Sequence, residues 1–336
     1  MRCALEGYVL HTYGKERYLK SAVASALTIR RYDSLRPIAL YADESSVDRL
    51  RSLGLDVLFA PLETLPEAHQ SIVGFKHYLY RFHPFDRCLF VDSDMIWCRN
   101  PDPLWKQLSA FEFTGTGVSS ADFFFGAPKK TGIILQLLTN QRRKTIRRFG
   151  VTYLPRVQAG MLYSSNIQEC KRICLEAAHL LTRNHETHFR SRLDEGRKEE
   201  SCEWSLALAF ARLGVPIFSW YQGRNTPQMD YISDFVQHDD DFEHVSCHYF
   251  NHAIANRLRE IPAPRIRDAL LRLYGFIPGK SDYMTITPFA LHFGWLKYKD
   301  VFHELADRLW ENALADGIPV ASVRKSDDSE SDPMDG

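Results

Sequence analysis

Apolar runs and amphipathic stretches alternate along the first hundred residues, and few folds accept that order. Strand-like runs cover 4–12, 36–42, 55–60 and 88–92. Between them, 16–30 repeats Leu19, Val23, Ala26 and Leu27 at helical spacing, and 46–53 does so with Val47, Leu50 and Leu53. A third helix is predicted over 69–82, while Gly54 and Pro61 read as stops. Apolar strands joined by helices form a mostly parallel sheet covered on both faces, so the predicted class is α/β, Rossmann-like, with flanking helices. The pattern continues with a helix at 102–109, strands at 111–118 and 157–165, an amphipathic segment at 166–183, a helix at 202–213 and a short strand at 216–220. Beyond 250 it turns mainly helical, with Leu258, Ile266, Leu270, Leu273 and Trp310 marking apolar faces. The expected division is a main domain over 1–252, a helical extension over 253–325 and a tail over 326–336. That tail carries five acids and no base, and disorder is expected there.

Composition excludes several classes. The 336 residues hold 42 basic and 42 acidic side chains, so no net positive charge marks a nucleic-acid binder. No stretch approaches the 18 or so uninterrupted apolar residues of a membrane span. Glu6 interrupts any signal-peptide core. Cysteines at 3, 88, 98, 170, 174, 202 and 247 are odd in number and form no CxxC, so free buried thiols in a reducing, cytoplasmic setting are expected. A basic run, Lys129, Lys130, Arg142, Arg143, Lys144, Arg147, Arg148 and Arg156, contains no acid; it reads as a solvated helix face or as an attractor for anionic lipid or a phosphorylated saccharide.

Ligands of such sheets sit beyond the carboxyl ends of the strands. The sequence there is most informative at Phe90-Val91-Asp92-Ser93-Asp94-Met95. Side chains alternate along a strand, so Asp92 and Asp94 point the same way. Two carboxylates at a strand end suit magnesium or manganese, which fill their other positions with water and phosphate oxygens. A second DxD, Asp239-Asp240-Asp241, lies in a polar run with no strand leading into it and reads as a solvated loop. Thr12, Tyr13 and Asp43 stand at the ends of the first two strands, where an aromatic face and a carboxylate suit a nucleotide base and ribose.

Residues 75–105, with Lys76, Asp92, Asp94, Asn100, Pro101, Leu104 and Trp105, resemble the nucleotide-sugar-binding segment of GT-A glycosyltransferases. The likeness is greatest to glycosyltransferase family eight, the glycogenin and bacterial lipopolysaccharide galactosyltransferase group, and runs in order over about 4–252. It implies a GT-A fold, a manganese or magnesium ion, a nucleoside diphosphate sugar (UDP-linked) as donor, and a saccharide, glycolipid or other hydroxyl acceptor. Gln158-Ala159-Gly160-Met161 is similar to the family's Asn-Ala-Gly segment beside the sugar, and Glu203-Trp204 stands at its Asp-Gln pair. His248-Tyr249-Phe250 resembles its His-Phe, which implies His248 as third metal ligand, with His244 and His252 as fallbacks. The family follows that His-Phe with Gly and Lys-Pro, where this chain has Asn251-His252.

The implied roles are metal binding for Asp92, Asp94 and His248, and donor contact for Ser93, Lys76, Thr12, Tyr13, Asp43 and Gly160. Lys76, Gln158 and Glu203 are the candidate catalytic groups. Glu203 is the one base that inverting transfer could use, whereas the resemblance implies retention. Two other readings compete. Haloacid-dehalogenase-type phosphohydrolases also end a strand in DxD, with Asp239-Asp240 as a possible second acidic pair; yet three strand-like segments precede the motif here. A non-catalytic nucleotide- or glycan-binding protein of the same fold is the third.

Overall fold

The computed structural model describes residues 5–71, 73–119, 138–193, 196, 200–220, 222–250, 258, 261, 263–275, 283–294 and 296–316. Cys3, Lys129, Lys130, His252 and the acidic tail lie outside these. Seven strands form the central sheet: β1 (Glu6–His11), β2 (Ile38–Ala42), β3 (Asp56–Phe59), β4 (Arg87–Val91), β6 (Phe113–Val118), β7 (Arg156–Ser164) and β8 (Phe218–Ser219), in the order β3-β2-β1-β4-β7-β6-β8. β7 is antiparallel to β4 and β6; every other neighbouring pair is parallel. The mixed α/β class with a large, mostly parallel sheet is as the alternation predicts.

Helices cover both faces because the strands are apolar on both. Tyr8, Leu10, Leu40 and Leu89 face α1 (Glu16–Tyr32), α2 (Glu44–Arg51) and α3 (Asp102–Leu108), meeting Leu19, Val23, Leu50 and Trp105 in one core. A further helix, α4, spans Gln141–Arg148. Val9, Phe90 and Leu162 face the other way, onto Cys170, Ile173 and Ala177 of α5 (Ile167–Leu181) and Leu206 and Phe210 of α6 (Cys202–Leu213). The six cysteines among the described residues, Cys88, Cys98, Cys170, Cys174, Cys202 and Cys247, are free and buried.

The predicted helix over 69–82 is instead three 3-10 turns, Glu67–His69, Gly74–His77 and Leu79–Arg81. Six rings crowd this stretch, His69, Phe75, His77, Tyr78, Tyr80 and Phe82, and aromatic side chains lose rotamer freedom in a helix. Gly74 passes so close to His69 that a Cβ would lie 2.5 Å from its carbonyl oxygen. The turns let His77 sink to the core, where Nε2 pairs with Ser205 Oγ at 2.9 Å.

The C-terminal part is mainly helical, with α7 (Pro264–Gly275) and α8 (Lys299–Asp316), but it also returns strands to the main body. β13 (Ala290–His292) pairs with β5 (Met95–Trp97), which follows the DxD turn, and with β9 (Gln228–Asp230). β10 (Val236–His238), β11 (Val245–Phe250) and β12 (Tyr283–Ile286) form a third sheet, which is antiparallel. Phe289, Ala290 and Trp310 join the core beneath β1 and β4. Among the described residues, no helix is long and apolar enough to cross a membrane.

Candidate active site

β4 ends at Val91, and Asp92-Ser93-Asp94 make the turn into β5. The Asp92 N–H donates to the Gly160 carbonyl at 2.9 Å, which ties this turn to β7. Each aspartate then divides its two oxygens. Asp92 Oδ1 takes the Lys76 ammonium at 2.5 Å, and Oδ2 lies 3.9 Å from His292 Nε2. Asp94 Oδ2 takes the Lys299 ammonium, and Oδ1 lies 3.4 Å from His292 Nε2. One donor atom from each of Asp92, Asp94 and His292 falls within a 4.8 Å span. β13 carries His292 to this point by lying alongside β5 in register, His292 opposite Met95.

The other imidazole nitrogen is also held. His292 Nδ1 is 2.9 Å from Asp230 Oδ1 and 2.7 Å from Gln158 Nε2. Gln158 is engaged elsewhere too: its Oε1 accepts from Gly160 N–H at 2.7 Å and from Gln228 Nε2 at 2.5 Å. β7 makes room for this by bulging. Gly115 pairs with Leu162 but Thr116 with Gln158, so 159–161 bow away from β6. A Cβ on Gly160 would lie 2.8 Å from Gln158 Oε1, and one on Gly294 2.6 Å from His292 Cε1.

Charge follows from this packing. Burial disfavours the charged Lys76, but Asp92 outweighs it and the ammonium is held above its usual range. Its Nζ also donates to the Ala159 carbonyl at 2.9 Å. Burial opposes the Asp94 carboxylate, yet His292 and Lys299 hold its pKa well below the usual value. His292 moves up, because Asp94 and Asp230 overcome its own burial. Two carboxylates and an imidazole whose far nitrogen meets a third carboxylate form a donor set that a divalent ion of the magnesium or manganese type accepts. The residues therefore fit the metal that the sequence implies.

Three cavities surround the cluster and the neighbouring strand ends. One of about 480 Å³ is lined by His11, Tyr18, Lys76, Asp92, Ser93 and Asp94, with Arg17 and Lys299 also on its walls. A second, of about 430 Å³, is lined by Gln158, Arg192, Glu203, Asp230, His292 and Lys297, with Gly294 between them. A third, of about 470 Å³, includes Tyr13, Gly14, Asp43 and Phe59.

Asp92, Ser93, Asp94, Lys76, Gln158, Gly160 and Glu203 thus gather around one centre. Glu203 opens α6 above Ser201, whose Oγ accepts its N–H; burial raises its pKa against the pull of Arg156, Lys76 and Arg192. Tyr13 and Asp43 stand apart, at the third cavity. Asp43 there spends its carboxylate on Gly14 N–H at 2.9 Å and the hydroxyls of Ser45 and Ser46. Thr12 is wholly buried, with its hydroxyl unpartnered. The imidazole beside the aspartates is His292 and not His248. His248 sits on β11 opposite Thr285, its ring 6.4 Å from that of Phe235. His244 is exposed and pairs with Asp239 at 2.8 Å, Asp239 also caps the Glu243 N–H, and Arg31 and Arg308 bond Asp240 and Asp241, so the second DxD is a surface turn tied to α1 and to the last helix.

Sequence reasoning passed over His292, Asp230, Lys299 and His11. The signal for the first was present: His292-Phe293 is followed by Gly294 and Lys297, the glycine and lysine missing after His248. His11 ends β1, stacks on Phe75 at 3.6 Å, and has both ring nitrogens buried without partners at the wall of the first cavity.

No protein-family model matches the chain, and no curated protein matches it in sequence. Among solved structures, the fold is similar to mouse xyloside xylosyltransferase 1 in its apo form, with a TM-score of 0.45 and 10% identity over 68% of this chain and 88% of that one. It is similar to the galactosyltransferase LgtC in complex with donor and acceptor sugar analogues, at 0.48 and 12% over 95% and 98%. It is also similar to the bifunctional glycosyltransferase WbbM, at 0.49 and 10% over 92% and 52%. All three structures are of glycosyltransferases, and what this chain shares with them is its mixed α/β fold.

Proposed function

We propose that the protein is a metal-dependent, retaining glycosyltransferase. It moves a sugar from a nucleoside diphosphate sugar, UDP-linked, to the hydroxyl of a saccharide, glycolipid or other acceptor, and takes no nucleic acid. One observation carries this reading: two carboxylates and a carboxylate-oriented imidazole converge beyond the end of β4, between two cavities. The resemblance in 75–105 supplies the chemistry that such a centre serves.

Asp92, Asp94 and His292 are the residues that would hold manganese or magnesium, which when bound neutralises a diphosphate and makes it a competent leaving group. The residues around them do the rest. Lys76 is fixed by Asp92 and Ala159 and retains one N–H for a phosphate oxygen. Lys299 and Arg17 add positive charge to the same cavity, and His11 offers it a neutral donor or acceptor. Gln158 acts as a positioning residue: its Oε1 accepts from Gly160 N–H and Gln228 Nε2, which fixes its amide beside the imidazole, while Asp230 takes the Nδ1 proton. Glu203 faces the second cavity, where its carboxylate stabilises positive charge developing on the anomeric carbon. Most of the acceleration then comes from position and fixed charge.

The test is nucleotide release. Purified protein with manganese and UDP-glucose or UDP-galactose should liberate UDP slowly without an acceptor, and Asp94→Asn should abolish it. Absence of release from UDP-, GDP- and ADP-sugars alike contradicts the reading. Proton NMR of the product's anomeric centre tests retention.

A further inference from the structure

The second cavity carries charge that the reaction above does not use. Arg192 reaches it from the segment before α6, and Lys297 from the turn after β13, so the two come from segments far apart in sequence. Neither has a carboxylate partner among the described residues, and Lys297 lies over the Tyr298 ring at 4.2 Å. The two acids on the wall are shared with other cations. Asp230 is engaged by His292. Glu203 alone faces Arg156, Lys76, Arg192 and His292. Behind it, Arg156 has a buried Nη1 with no hydrogen-bond partner, its guanidinium lying 5.1 Å from the centre of the Trp220 ring. The cavity is therefore short of negative charge beside a centre that takes sugars, and a neutral saccharide would leave it so.

We propose that this cavity binds an anionic sugar, one bearing a phosphate or carboxylate, and that Arg192 and Lys297 select it. The proposal rests on the glycosyltransferase reading and names its substrate class. A forked guanidinium and a flexible ammonium lining one cavity suit a phosphate or carboxylate. The diphosphate of the donor is served from the other side of the aspartates, by Lys76, Arg17 and Lys299.

Ligand-observed NMR titration of the full chain, with manganese and UDP present, tests this. The acceptor arm compares glucose 6-phosphate and glucuronate with glucose. The donor arm compares UDP-glucuronate with UDP-glucose under manganese alone. The expected result is binding of the anionic member at least ten-fold tighter in one arm, and the arm that responds tells whether the anion rides on the acceptor or on the transferred sugar. That preference should vanish in the Arg192→Gln/Lys297→Gln double variant and return in Arg192→Lys/Lys297→Arg. Equal binding of neutral and anionic sugars in both arms overturns the proposal. So does inorganic phosphate binding as tightly as glucose 6-phosphate, since the site would then read a free anion. A double variant that loses UDP affinity by the same factor also overturns it, because the two cations would belong to the diphosphate. Failure of the underlying reading is separate: wild-type protein would then bind no manganese·UDP at all.

Discussion

His292 is held from both sides, and that double hold sets its chemistry. If Gln158 donates to Nδ1, the ring must carry its proton on Nε2, facing the aspartates. If Nδ1–H donates to Asp230, Nε2 is free to bind a cation. Asp230 thus decides which nitrogen is the ligand. Asp230→Asn should weaken manganese binding about 10- to 100-fold, the usual effect of losing a ligand's carboxylate partner, as read by electron paramagnetic resonance of free manganese. His248→Ala should leave the titration unchanged. Gly160 is a second residue-scale test. A Cβ there meets Gln158 Oε1, which two hydrogen bonds hold, so Gly160→Ala should cost about 1–3 kcal/mol in denaturant unfolding, as overpacking does. If it unfolds like wild type, the Gln158 network is looser than its geometry.

At the scale of elements, one buried knot ties the amino end of β1 to α1 and α3, beside the strand that leads to the aspartates. Tyr8 on β1 donates to Asp33 at 2.7 Å and accepts from Trp105 Nε1 on α3 at 2.9 Å. Asp33, at the end of α1, also takes the Arg36 guanidinium at 2.9 Å and the backbone N–H groups of Leu35 and Arg36. Arg36 continues to Glu6 and Asp102. Burial alone would raise the Asp33 pKa, but these hydrogen bonds and the Arg36 charge bring it below the ordinary value. A depressed carboxyl contributes stability above its unfolded pKa and loses it as pH falls through the folded one. Asp33→Asn should therefore destabilise at neutral pH, by about 3 kcal/mol for a broken buried pair, with a smaller deficit in acid; a constant deficit across the pH range contradicts this assignment. The same scale shows what could be read from the residues. Strands β1 to β4 are legible because short apolar runs are cut by Gly54, Pro61 and acidic turns. The 69–82 stretch misleads because its apolar spacing mimics a helix, while its rings and the Gly74–His69 contact favour tighter turns. β5 and β13 are three residues each, too short for a periodicity to declare them, and their pairing joins positions far apart in sequence.

Across the whole molecule, the site is built from both ends of the chain. Asp92 and Asp94 come from the turn after the fourth strand of the regular α/β half, and their context announced them. His292 and Lys299 come from a segment whose sequence reads only as helical extension, so half the centre was hidden by topology. That segment also supplies Phe293, Phe302 and Leu305, all at most 1% exposed, to the core. A chain ending at residue 282 should accordingly lose cooperative unfolding and not merely activity; a sharp transition in that truncation would make 283–316 a separable appendage. The global acid response has a second source. His11 and His77 are pushed down to about 3, His11 by burial and then the Lys76 charge, His77 by burial and then its neighbour His69. Between about pH 6.5 and 3 the unfolded chain binds these protons and the folded one does not, so stability falls as the pH is lowered through that window. His77→Gln should blunt the decline in a urea series.

The central claim is that Asp92, Asp94 and His292 together hold a divalent ion on a nucleoside diphosphate. Thermal unfolding with manganese and UDP, on wild type, His292→Ala and His248→Ala, tests it most directly. Ligand at a hundred times its dissociation constant stabilises by about 2.7 kcal/mol, enough for a clear rise in melting temperature. The account predicts a rise that needs both manganese and UDP, is kept in His248→Ala and is lost in His292→Ala. A rise that survives in His292→Ala but disappears in His248→Ala would contradict it.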